Sequence, residues 1–145
     1  MDIYGGNLQR AERRLNAAEA SYAEQGNEVG RHEVALARGQ LHKFRGLNDE
    51  SLEVTRKSLE FFLECSMYFH AAAAYSNLGH VHAIEERDPE ACAYFSKAIS
   101  TYEKGRSVNP RGEIPFYSGA GDFLTQMQSF REQLGCARFT SDGGE

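Results

Sequence analysis

Proline is scarce: three in 145 residues, at positions 89, 110 and 115. Long stretches can therefore run as helix without a forced break. Apolar runs are short, and none approaches the ~20 residues of a membrane span. The opening "MDIYGGN" has neither a basic start nor an apolar core, so no signal peptide is visible. Basic charge is also in deficit, with 16 Lys and Arg against 21 Asp and Glu, a net −5. That balance speaks against nucleic acid, whose partners carry a concentrated basic patch. The one basic cluster, "RAERR" at 10–14, is interrupted by Glu12 and reads as a solvated helix face. Cysteine is low and odd in number: Cys65, Cys92 and Cys136, with no CxxC spacing. Reduced thiols in a soluble, cytoplasmic protein are the expectation.

What is present is helical periodicity. A chain of this length forms one domain with a core of its own, burying roughly 70% of its unfolded surface. Segments 7–25, 29–45, 50–67, 69–86 and 89–107 each carry apolar residues at three- and four-residue steps. In the first, Leu8, Ala11, Leu15, Ala18 and Tyr22 form a stripe, with Asn7 as its cap. The second has two stripes, Val34-Ala37-Leu41-Phe44 and Ala35-Gly39-His42, as in a helix between two neighbours. The third turns Leu52, Thr55, Leu59, Phe62 and Leu63 inward, and Asn48 or Asp49 caps it. The fifth opens "DPEA": Asp88 is placed to cap, and Pro89 suits the first helical position. No segment alternates like a strand. The fold expected is all-α.

The pattern also repeats. Asp49 and Asp88 lie 39 apart, whereas Gly39 and Gly79 lie 40 apart, which places a one-residue insertion in the turn "RGLND". A third copy is "YSGAG" at 117–121, echoing "YSNLG" at 75–79. Helix pairs at a period near ~40 are the mark of an α-solenoid. Gly79, in a helix interior where glycine costs about 1 kcal/mol, then marks a close helix–helix contact.

The stretch "YSNLGHVHAIEERDPEACAYFSKAI" resembles a tetratricopeptide repeat. The matching residues are Tyr75, Leu78 and Gly79 in the first helix and Ala91, Phe95 and Ala98 in the second, with His82 where an aromatic is usual. Its length is similar to the extended repeats of kinesin light chains, spindle scaffolds and bacterial peptide-sensing regulators. The resemblance implies an α-α superhelix over 7–135: a half repeat 7–25, repeats 28–67 and 69–107, a closing helix 113–134, and a disordered tail 136–145. The unpaired opening helix points to a longer array. The end helices 7–25 and 113–134 carry apolar residues on more than one face, so at least a weak homodimer is expected.

Catalytic and metal chemistry find little footing. His80 and His82 sit two apart on a helix and point to different sides. His32-Glu33 lacks the second histidine of an HExxH zinc motif. No phosphate loop, nucleophile elbow or paired Cys–His is present, so no enzyme and no cofactor is expected. The resemblance implies instead a concave face, built from the first helix of each repeat, that binds a protein or peptide. An asparagine there grips the ligand backbone in the family, and Asn77 stands at that position. Arg38, Leu41, Phe44, His80 and Ile84 are its expected neighbours in the groove. A lysine-asparagine-arginine clamp for acidic chaperone tails is missing, because Ala37 and Leu41 occupy the corresponding positions. The rivals are a bacterial secretion chaperone, to which "VNPRGEIPFYSGAG" is loosely suited, and, more distantly, a helical-bundle metalloprotein.

Overall fold

A computed structural model describes residues 3–114 and 122–139, with side chains from Asn7 onward. Among the described residues there are six α-helices and no strand: α1 (Ile3–Gln25), α2 (Glu28–Phe44), α3 (Asn48–Glu64), α4 (Tyr68–Ile84), α5 (Asp88–Val108) and α6 (Phe123–Gln133). A 3-10 helix, Cys136–Phe139, follows. The protein is all-α. Two compact units divide it, residues 1–58 and 59–145, with the boundary inside α3.

The four connections from α1 to α5 share one geometry. Gly26, Gly46, Ser66 and Glu86 all have positive φ, between 56° and 76°, and fall twenty residues apart. After each, the next amide reaches back five residues: Asn27 to the Tyr22 carbonyl, Leu47 to His42, Met67 to Phe62 and Arg87 to His82, each at 2.8 Å. The left-handed residue itself donates three residues back in all four cases. This double bond is the Schellman closure, which satisfies carbonyls left open at a helix end. Glycine enters the left-handed region without penalty, whereas Ser66 and Glu86 do so at a cost of about 1–2 kcal/mol.

Identical connections give identical helices: α2, α3 and α4 are each 17 residues long. No extra residue sits in "RGLND", because Asn48 rather than Asp49 is the counterpart of Asp88, forty residues on. The turn also decides the caps. Asn27, Met67 and Arg87 hold the N-cap positions with φ near −95°, but only the Asn27 side chain accepts a bond, from Gly30 N at 2.9 Å. Asp88 is thus the first helical residue and not a cap. Asn7 is likewise no cap, since α1 starts four residues earlier.

Within the first unit, α1 and α2 are tied by ion pairs Arg38–Glu19 (2.8 Å) and Arg45–Glu12 (3.2 Å). Buried Ser51 of α3 donates to the Gly39 carbonyl of α2 at 2.6 Å. Gly39 is therefore a contact point, with its carbonyl engaged by the next helix. In the second unit α4 lies against α5. A Cβ added at Gly79 would stand 2.8 Å from the Phe95 ring, so the close approach expected at Gly79 is real. His82 stacks on Tyr94 (centroids 5.1 Å, 23°) and fills the aromatic's place.

The C-terminal part departs from expectation. The closing helix spans only Phe123–Gln133, opened by Asp122, whose carboxylate accepts from Thr125 N at 3.2 Å. Residues 109–114, which include Pro110, are not helical, and the "YSGAG" echo at 117–121 lies outside the described residues. Residues 136–139 are ordered where a loose tail was expected, and 140–145 lie outside the description. The reason is a disulfide. Cys92 of α5 and Cys136 are bonded, with Cα atoms 5.6 Å apart, and only Cys65 is free and exposed. The expectation of three reduced thiols is corrected, because a pairing across 44 residues leaves no local spacing to read.

Candidate binding surface

The six residues expected to line one groove fall into three groups. Asn77 and Leu41 are buried, at 2% and 7% exposure. Arg38 and His80 are half-buried and engaged. Phe44 and Ile84 are open to solvent, at 74% and 56%.

Asn77 is the main correction. In α4 the residues Ala71, Ala72, Ala73 and Ala74 are all buried, as are Asn77, Leu78, Gly79, Val81 and His82. Successive residues of a helix advance about 100°, so four buried in a row span nearly the full circumference. A helix apolar all round is a core helix. Its middle shows only Tyr75, Ser76 and His80, each in part, and Asn77 is engaged inside the fold. Leu41 is excluded from a groove by the same burial.

Arg38 gives its guanidinium to Glu19 at 2.8 Å and to Asn16 Oδ1 at 2.6 Å. It braces α2 against α1 and is not a spare cation. His80 lies edge-on to Phe95 (5.1 Å) and to Phe130 of α6 (4.5 Å), and those two rings stack at 5.4 Å. Through Phe130, helix α6 therefore covers His80, one residue of the α4 face on which a ligand was expected. His82 points elsewhere, its Nδ1 accepting from Arg87 Nε at 3.0 Å.

Phe44 and Ile84 close α2 and α4, each the last residue of its helix and forty residues apart. Lys43 Nζ stands 5.7 Å from the Phe44 ring centroid, and burial, which desolvates the ammonium, lowers the Lys43 pKa. Leu47, 40% exposed, follows in the same connection. The sequence stripe did not single out Leu47, although its place in a turn was a signal that it lacks a core partner. On the end helices, by contrast, no large apolar side chain described is exposed. Phe123 and Met127 are buried, and Leu8, Leu15, Tyr22, Leu124 and Phe130 are half-covered. The apolar faces that motivated a homodimer are thus not bare.

The first unit also holds a shallow cleft of about 230 Å³ walled by Glu19, Glu28, Arg31, His32 and Lys57. Its charges alternate in sign, so no single field focuses a charged ligand. Burial lowers the His32 pKa; Glu28 opposes this and Arg31 adds to it, which keeps the imidazole neutral near pH 7. Among the described residues no three His, Cys, Asp or Glu side chains converge as metal ligands. None of the described helices is long and apolar enough to cross a membrane.

No family model matches the chain, and neither a curated protein nor a solved structure matches it. The likeness to tetratricopeptide repeats rests on the residues and the period alone.

Proposed function

We propose that this chain is a protein-interaction module of the tetratricopeptide-repeat type. Its helix hairpins follow one another in a superhelix that takes a protein or peptide ligand and performs no catalysis. What carries this reading is the constant twenty-residue turn, which returns a first helix and a second helix every forty residues. A repeat of that kind displays equivalent positions again and again, and at this position each unit by itself shows an apolar side chain: Phe44 in the first and Ile84 in the second. An aromatic and a branched aliphatic side chain, both exposed, suit apolar anchors of a ligand better than a backbone-gripping amide does. The ligand class is protein, with neither nucleic acid nor membrane as partner and no cofactor, and the site of action is the cytoplasm.

The test is titration calorimetry against a ligand first identified by pull-down from native lysate. Phe44→Ala and Ile84→Ala should each weaken binding by about tenfold, the loss of 1.4 kcal/mol typical of an anchor residue. Neither should move the melting temperature, because both side chains are exposed. Asn77→Ala, a truncation of a buried amide, should lower the melting temperature instead, by the equivalent of about 1–3 kcal/mol. Unchanged affinity in both surface variants would take binding off these helix ends.

A further inference from the structure

The disulfide does more than join α5 to the 3-10 helix that follows α6. It fastens the far end of α6, which packs on α5 and, through Phe130, on His80 of α4. We propose that Cys92–Cys136 is a redox latch: closed, it holds α6 and the 3-10 helix Cys136–Phe139 over the His80–Phe95–Tyr102 face, and opened by a dithiol reductant it lets that segment detach.

The placement of the bond carries the inference. Helix α6 has 11 residues, short of the 12–15 or so at which an isolated helix becomes even marginal in water. It is helical because it is docked: Phe123 lies 5.1 Å from the Tyr102 ring, Phe130 stacks on Phe95, and Met127 is 1% exposed. Upstream, 109–114 is not helical, and the contacts that hold it, Gly112 against the Phe69 ring and buried Ile114, lie at least nine residues before α6 begins. Downstream, the polar ties are few. Arg138 pairs with Asp88 at 3.5 Å, but both are substantially exposed and such a pair contributes little. Its other bonds, to the Leu134 and Gly135 carbonyls, stay within the segment itself. The bond to Cys92 is thus the covalent fastening of this segment. Breaking it restores freedom to a 44-residue separation, which favours the undocked form.

Access sets the rate. Cys92 and Cys136 are both 2% exposed, so a reductant reaches them only when the four-residue 3-10 helix frays. A thiolate of the dithiol then attacks Cys136 Sγ, and the Cys92 sulfur leaves as a thiolate and takes up a proton. The second thiol of the reductant closes on the mixed disulfide and releases Cys136, so two electrons pass to the protein and the dithiol becomes a cyclic disulfide. The mechanics of release do not depend on where the protein resides, nor on what Phe44 and Ile84 bind.

The experiment is hydrogen exchange of the full chain, oxidised and after dithiothreitol, with thiols counted by alkylation under denaturing conditions. The oxidised protein should alkylate at Cys65 only and the reduced protein at all three cysteines. On reduction, amides of 123–133 should exchange about tenfold faster or more, as in a local opening, while α4 and α5 keep their protection. Cys136→Ser should reproduce the reduced pattern without reductant. Three free thiols in the air-purified protein would overturn the latch. So would unchanged protection of 123–133 after reduction, or loss of protection across α4 and α5 together.

Discussion

Phe95→Ala should destabilise the protein by about 3–5 kcal/mol, the range for a phenyl ring deleted from a core. Phe95 is 1% exposed and is the ring on which three elements meet. Gly79 of α4 approaches its edge, His80 lies perpendicular to it at 5.1 Å, and Phe130 of α6 stacks on it at 5.4 Å. Nothing nearby can collapse into the space, because close packing on the α4 side already depends on glycine. The void would also remove a ring that holds α6 in place. Chemical denaturation of wild type and variant checks this, the midpoint falling while helical circular dichroism persists at low denaturant. A loss below about 1 kcal/mol, the level of a surface change, would mean that the ring is not the keystone of this unit.

Gly79→Leu should be destabilising even though leucine is the better helix former by nearly 1 kcal/mol. The first added carbon would already lie 2.8–3.0 Å from three atoms of the Phe95 ring. That ring has no free direction to yield, being held between His80 and Phe130. Overpacking of this kind costs about 1–3 kcal/mol, sometimes more. The two substitutions should not be additive. With Phe95 cut to alanine, the side chain added at position 79 enters the vacated volume, so the double variant should be more stable than the summed single effects imply, by a coupling of about 0.5–3 kcal/mol. Additive losses would show that Gly79 and Phe95 do not share one packing site.

Much of the helical scaffold could be read from spacing, because burial on one stripe imposes a period near 3.6. The starts of α2 to α5 were legible to within two residues, and Gly79 announced its contact by standing where alanine was cheaper. The twenty-residue period was harder to see. Two of its four left-handed positions hold Ser66 and Glu86, so the glycine signal present at 26 and 46 vanishes in the second half of the chain. Asn77 misled for a physical reason: its spacing from Gly79 fixes its place on α4, but exposure depends on how many neighbours enclose that helix. Of the residues expected in the groove, Phe44 and Ile84 are the two that stand exposed, each at a helix end, which escapes enclosure. The disulfide could not be inferred from cysteines 44 residues apart.

The repeated turn is the feature from which the architecture and the proposed function both follow. Its most direct measurement is backbone resonance assignment of the full chain in solution, with φ from chemical shifts and couplings at residues 26, 46, 66 and 86. Positive φ at all four is expected, Ser66 and Glu86 included, with slowed exchange at the amides of Asn27, Leu47, Met67 and Arg87, which close the turns. Helical φ at Ser66 or Glu86, or a left-handed residue displaced by even one position, would contradict the twenty-residue repeat.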